Sequence, residues 1–127
     1  MAYKKKTKKT KRNIEAAVVY VQSSFNNTII SVATESGDVI AQGSSGRLGF
    51  KGSRKGTPFA ATQIATNLAR EIKEMGVKRV DICLKGPGAG RDSAVRAFHA
   101  SGIVVESLKD VTPLPHNGCR PPKKRRV

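Results

Sequence analysis

The stretch TPFAATQIATNLAREIKEMGVKRVDICL, residues 57–84, decides the fold, because its apolar residues change period partway along. Thr57 followed by Pro58 is a helix start. The hydroxyl accepts from a first-turn N–H, and the proline ring fixes a φ that suits the first helical position. Ala61, Ile64, Ala65, Leu68, Ile72 and Met75 then recur at steps of three and four, the stripe of a core-facing amphipathic helix. Gly76 stands where a C′ glycine closes a helix. Val80, Ile82 and Leu84 alternate with Asp81 and Cys83, the period of two expected of a strand.

Working outward, three strand-like runs precede this unit. Ala16–Gln22 reads as a buried strand, Thr28–Thr34 as a β-branched one and Val39–Gln42 as a third. Turn residues separate them, Ser23-Ser24-Phe25-Asn26-Asn27 and Glu35-Ser36-Gly37-Asp38, so the three form an antiparallel meander. Downstream, Gly86-Pro87-Gly88-Ala89-Gly90 breaks the fourth strand. Asp92 or Ser93 caps a second helix running through Ala100, and Ile103–Leu108 is a fifth strand. Pro113 and Pro115 stop regular structure after it. The order β-β-β-α-β-α-β predicts an α/β domain, a mixed sheet with helices packed on it.

The charge is unevenly placed. The 127 residues carry 24 Lys and Arg against nine Asp and Glu, a net +15. Residues 1–12 hold seven of the bases and residues 116–127 five, with no acid in either segment, so 13–115 keeps 12 bases against nine acids. The organisation expected is a basic arm over 1–12, one domain over 13–115 and a basic tail over 116–127. Arms this cationic and this poor in apolar residues do not fold alone and are expected to be disordered until a polyanion orders them. Nucleic acid is the commonest such polyanion. Lys123-Lys124-Arg125-Arg126 also fits a nuclear-localisation signal, and an anionic membrane is a third reading, although neither an amphipathic helix nor a lipidation site is evident at the arms. No apolar run approaches the roughly 20 residues of a membrane span, and no apolar stretch follows the charged N-terminus as a secretory signal would need. Two cysteines, Cys83 and Cys119, make no disulfide framework, so a cytosolic or organellar setting is expected. The lack of Trp and the low aromatic content argue against an aromatic base-stacking platform.

Two motifs carry the functional reading. Lys85-Gly86-Pro87-Gly88-Ala89-Gly90-Arg91 lies between a strand and a helix. There, glycine amides and a helix N-terminus suit an anion such as an RNA phosphate, and Lys85 and Arg91 add charge. It lacks the Gly-Lys-Ser/Thr ending of a nucleoside-triphosphate loop and the spacing of a dinucleotide fingerprint, and it also reads as a plain turn. The second motif is residues 43–56, with five glycines, three serines, the cations Arg47, Lys51, Arg54 and Lys55, and no acid. It reads as an irregular loop able to follow a phosphate backbone, or as a disordered surface loop. Catalysis finds little support: His99 and His116 belong to no Ser/His/Asp grouping, Cys119 with His116 is two ligands short of a structural zinc site, and the first strand has no carboxylate for a two-metal nuclease. Asn117-Gly118 is a dipeptide prone to succinimide formation, which says nothing about function.

Three stretches resemble a known family: Gly43-Ser44-Ser45-Gly46 with Phe50–Ala61; Lys85–Arg91; and Thr112-Pro113-Leu114-Pro115-His116-Asn117-Gly118-Cys119-Arg120-Pro121-Pro122-Lys123. Together they are similar to the small-subunit ribosomal protein S-eleven family, bacterial or organellar type, over residues 13–127. The resemblance implies a ribonuclease-H-like α/β fold without the nuclease site. It also implies a place on the platform of the small ribosomal subunit, bridging ribosomal RNA helices beside neighbouring platform proteins and near the mRNA exit region where the Shine-Dalgarno helix forms. By the same resemblance the RNA-contacting residues are Arg47, Lys51, Arg54, Lys55, Lys85, Arg91, Arg120, Lys123, Lys124, Arg125 and Arg126, with Gly86, Gly88 and Gly90 shaping the second loop. No cofactor, metal or membrane is implied. A nucleic-acid-processing enzyme on the same fold and a chromatin-associated basic protein are the alternatives.

Overall fold

A computed structural model describes residues 14–125. The N-terminal arm over 1–12 and Arg126 lie outside the described residues, and so does the expectation that the arm is disordered. The chain forms β1 (Ala16–Ser23), β2 (Thr28–Ala33), β3 (Val39–Ser44), α1 (Pro58–Glu74), β4 (Arg79–Lys85), α2 (Gly90–Ala100) and β5 (Val104–Asp110), with a 3-10 turn over Gly52–Gly56. The sheet order is β3-β2-β1-β4-β5. The meander pairs antiparallel, Tyr20 opposite Ser31 and Ser31 opposite Gln42. The two strands that follow helices pair parallel, Val19 beside Ile82 and Ile82 beside Leu108. This is the mixed, ribonuclease-H-like sheet that the element order and the resemblance predicted.

Strand alternation and helix period meet in one core. Val19 and Val21 of β1, Ile30 and Val32 of β2, and Val80, Ile82 and Leu84 of β4 are buried with Ile64, Ala65, Leu68 and Ile72 of α1 and Ala94 and Phe98 of α2. The stripe read from residues 61–72 is therefore the helix face on the sheet. Asp81 alternates out of that core, as expected, and its carboxylate accepts a hydrogen bond from the Ser107 hydroxyl at 2.9 Å. Both ends of α1 use the predicted residues. The Ala60 N–H donates to Thr57 Oγ1 at 3.3 Å, a cap worth about 1 kcal/mol. Gly76 N–H donates to Lys73 O and Val77 N–H to Ile72 O, the paired closure of a C′ glycine.

Three local expectations need correction. Residues 43–56 are not wholly irregular: β3 continues through Ser44, and Gly52–Gly56 makes a 3-10 turn. Helix α2 begins at Gly90 instead of being capped by Asp92 or Ser93, and its N-cap, Ala89, supplies no side-chain bond. Residue 90 is glycine because the backbone there lies against Thr28 and Ala61, at a distance that admits no Cβ. Strand β5 runs to Asp110, carried by pairing with β4 past a register shift between Val80 and Asp81.

Candidate nucleic-acid interface

Strands β1, β4 and β5 are parallel, so their carboxyl ends, at Ser23, Lys85 and Asp110, share one edge of the sheet. The meander brings the start of β2 and the end of β3 to the same edge, and both helices begin there. In an open α/β sheet this is the end at which ligands bind. The two sequence motifs, 43–56 and 85–91, and the start of the C-terminal tail are thereby gathered at one end of the molecule. Each helix N-terminus adds about half a positive charge to it. At the opposite end charges of both signs stand together: exposed Glu35 and Asp38 in the 34–38 turn, Lys73 and Glu74 at the close of α1, and Lys78 and Arg79 at the start of β4.

Both glycine motifs converge on the Ser23–Thr28 segment between β1 and β2. A Cβ at Gly88 would overlap Ser23 Oγ and the Ser24 carbonyl oxygen, and one at Gly56 would overlap the Phe25 carbonyl oxygen. Gly86 has φ 98° and lies against the Ser23 carbonyl, so it needs glycine for both conformation and space. The amides of Gly86 and Gly88 are spoken for within the protein: Gly86 N–H donates to Thr112 Oγ1 at 3.1 Å and Gly88 N–H to Ser23 O at 3.1 Å. These two N–H groups therefore do not form the anion cradle read from the sequence. No side chain caps the first turn of α2, which also carries Asp92.

Arg91 is held in place. Its Nη1 donates to Gly86 O at 3.0 Å and its Nη2 to Asp110 Oδ2 at 2.7 Å, tying the loop to the end of β5. The other Asp110 oxygen accepts from the Thr112 hydroxyl at 2.6 Å and the Thr112 N–H at 3.0 Å. The Thr112 hydroxyl, the Thr112 N–H and then the Arg91 guanidinium hold the Asp110 carboxyl down, from 3.8 to about 2. Lys85, the last residue of β4, is exposed beside this cluster.

The 43–56 loop is built on a buried serine that sequence reasoning missed. Ser45 is fully buried. Its hydroxyl donates to Lys55 O at 2.7 Å, its N–H donates to Thr28 O, and its carbonyl accepts from Phe50 N–H. That pinning leaves Arg47, Lys51 and Arg54 exposed, and Lys55 half-buried. Arg47 Nη1 donates to Gln42 O at 3.2 Å. Leu48, Gly49, Phe50, Lys51 and Arg54 line a cleft of about 370 Å³. Phe50 meets Phe59 of α1 edge to face, with ring centroids 6.1 Å apart. No residue type in the loop signals that Ser45 is the buried one; its position two residues beyond buried Gly43 on an alternating strand is the only hint.

The tail leaves the sheet at Val111, whose N–H donates to Leu84 O at 2.7 Å. Arg120, Lys123, Lys124 and Arg125 are exposed and outside any helix or strand. Asn117 is exposed with φ 75°. Among the described residues no group of three or more His, Cys, Asp and Glu is placed to hold a metal ion, and no helix is long and apolar enough to cross a membrane.

The chain is similar to known ribosomal proteins. A family model described as "Ribosomal protein S11" matches residues 17–126. The "Small ribosomal subunit protein uS11" of Solibacter usitatus is 55% identical, covering 99% of this chain and 95% of its own length. That of Aquifex aeolicus is also 55% identical, over 97% of this chain and 98% of its own length. The "Small ribosomal subunit protein uS11c" of Cyanophora paradoxa is 52% identical over 95% and 93%.

Proposed function

The chain belongs to the ribosomal protein S11 family, and from that premise we propose that it is a structural, RNA-binding component of the small ribosomal subunit. Its place is the ribosome, cytoplasmic or organellar, and its partners are small-subunit ribosomal RNA and neighbouring ribosomal proteins. The observation that carries the reading is the gathering of two helix N-termini, two glycine-rich loops and the basic tail at one end of the sheet. Arg47, Lys51, Arg54, Lys55 and Lys85, with Arg120, Lys123, Lys124, Arg125 and Arg126 of the tail, neutralise phosphates where RNA helices approach one another. Gly86, Gly88 and Gly90 act through shape, by letting the loop close on Ser23 and Thr28. Arg91 braces the loop through Asp110 while adding charge to the uncapped start of α2. Phosphate contacts supply affinity and register, and the fold of the RNA supplies most of the specificity.

On this reading the protein sits on the platform, bridges separate RNA helices and lies near the path by which mRNA leaves. It does no chemistry of its own. Small subunits assembled with the full chain test this. The protein is expected to co-sediment with them at raised salt. Its affinity for small-subunit RNA should fall linearly on a log–log salt plot, and removing Lys51 and Arg54 together should lower the slope by roughly 1.4–1.8. A protein that washes off the subunits and binds RNA with an unchanged slope after both substitutions would overturn the assignment.

A further inference from the structure

We infer that the cleft formed by Leu48, Phe50, Lys51 and Arg54 holds an unstacked nucleobase, with Phe50 as the stacking face and Lys51 and Arg54 on the flanking phosphates. The inference rests on the RNA-binding reading above and adds to it a subsite, a ligand class and a residue, Phe50, that carries no charge.

The first support is where the phenylalanines are. The chain has four. Phe98 is fully buried in the core, whereas Phe25 is 76% and Phe59 63% exposed, and Phe50 is half-buried on the cleft wall. All three of the latter stand at the cationic end of the sheet. An aromatic side chain buries some 150–250 Å² when it is covered, so gathering such rings from the β1–β2 turn, the 43–56 loop and α1 at one end of the sheet is costly unless something covers them. Leu48, 41% exposed on the same wall, enlarges the apolar surface. The scarcity of aromatics in the sequence argues against stacking, but three of the four phenylalanines stand outside the core.

The second support is charge. No acid occurs between residues 43 and 56, and Lys51 and Arg54 line the cleft itself. An apolar wall rimmed only by cations suits a planar, uncharged ring attached to a phosphodiester; an ordinary protein partner would meet that rim with carboxylates. The third is preorganisation. Ser45 pins the loop to Lys55 O, the 3-10 turn fixes Lys51 to Gly56, and Phe59 abuts Phe50 from the first turn of α1. The ring is thus held before the ligand arrives, and little ordering remains to oppose binding. The cleft's volume lies at the lower end of the ~300–1,000 Å³ typical of small-ligand sites.

The experiment uses small subunits assembled with the full chain, irradiated with short-wavelength ultraviolet light and analysed by mass spectrometry of the cross-linked peptides. A nucleotide adduct on Phe50 is expected. In parallel, Phe50→Ala should weaken binding to small-subunit RNA by roughly 5- to 150-fold, the range set by base–aromatic stacking, with the salt slope unchanged. Phe50→Tyr should retain binding, and Phe50→Leu, which keeps apolar bulk but has no π-face, should not. Circular dichroism establishes that each variant is folded. If adducts appear elsewhere on the chain but none on Phe50, and Phe50→Leu binds like the wild type, the base site is wrong while the RNA-binding reading stands. A zero-length cross-link from this loop to another ribosomal protein also overturns the base site. If the chain neither enters subunits nor binds their RNA, both readings fail.

Discussion

Replacing Gly88 with alanine should destabilise the fold although it removes no charge and adds one methyl group. The added Cβ would overlap Ser23 Oγ and the Ser24 carbonyl oxygen at the end of the central strand β1. Ser24 is itself fixed, its N–H donating to Asn27 O at 2.8 Å, so the segment has little freedom to retreat. Overpacking of this kind costs roughly 1–3 kcal/mol. Moving the loop away also breaks the bond from Gly88 N–H to Ser23 O, about 1 kcal/mol more. The sum, about 2–4 kcal/mol, is a large share of the ~5–15 kcal/mol that separates a folded domain from its unfolded chain. It corresponds to a fall in Tm of roughly 10–30 °C. Thermal and urea denaturation measure it, and the protein contains its own control. A Cβ at Gly46 meets nothing nearer than Lys55 Cδ at 4.0 Å, so Gly46→Ala should melt within a few degrees of the wild type. If Gly88→Ala is as stable as Gly46→Ala, the close approach of the 85–91 loop to β1 is wrong. A loss of RNA binding in Gly88→Ala therefore needs a stability measurement beside it, because geometry at this loop is structural before it is functional.

Three further outcomes follow. Asp110 has its pKa lowered on folding, so its favourable contacts with Thr112 and Arg91 are present above its ordinary value of 3.8 and are lost as pH falls through about 2; carboxyl NMR should find that midpoint, and Thr112→Val should move it upward. Ser45→Ala removes the hydroxyl that closes the 43–56 loop on Lys55 O, so the domain should lose about 1–3 kcal/mol and trypsin should cut faster at Arg47, Lys51 and Arg54; unchanged digestion would show that the hydroxyl does not hold the loop. Purified protein with RNA and magnesium or manganese should give only background cleavage, and specific cleavage abolished by Asp81→Asn would establish the enzyme alternative.

What could be read from the sequence, and what could not, divides by distance along the chain. Thr57 with Pro58, the Ile64–Leu68–Ile72 stripe and the alternation of Val80, Ile82 and Leu84 are local signals, and the elements they announce are present. The cationic loops and tail are local too, and topology then places them together. The rest depends on partners far apart. Arg91 and Asp110 are separated by 19 residues, Gly86 and Thr112 by 26, and Ser45 and Lys55 by ten. Nothing in Gly88 announces that its neighbour is Ser23, and that neighbour, more than an anion, dictates glycine there. The start of α2 is the local exception: Asp92 and Ser93 look like caps, but the helix begins at Gly90, where contact with Thr28 and Ala61 leaves room only for glycine. Phe50 and Phe59 belong to a motif legible in the sequence, but composition counts aromatics without saying where they stand.

The 34–38 turn, at the end of the sheet away from the two glycine loops and the tail, offers a place to attach things. It is tied across its base by Thr34 N–H to Asp38 O and Gly37 N–H to Thr34 O, and Glu35 projects from it into solvent. A fluorophore on a cysteine put in place of Glu35, or a tether anchoring the protein to a surface, leaves both glycine loops and the tail unobstructed, so assembly can be watched on immobilised molecules held in one orientation. The native thiols set the condition for doing this. Cys119 is exposed within the basic tail and Cys83 is half-buried on the sheet, so an unmodified chain takes the dye first at the end where RNA would quench or displace it. Exchanging Cys119 for serine is the step that moves the label from the tail to the turn.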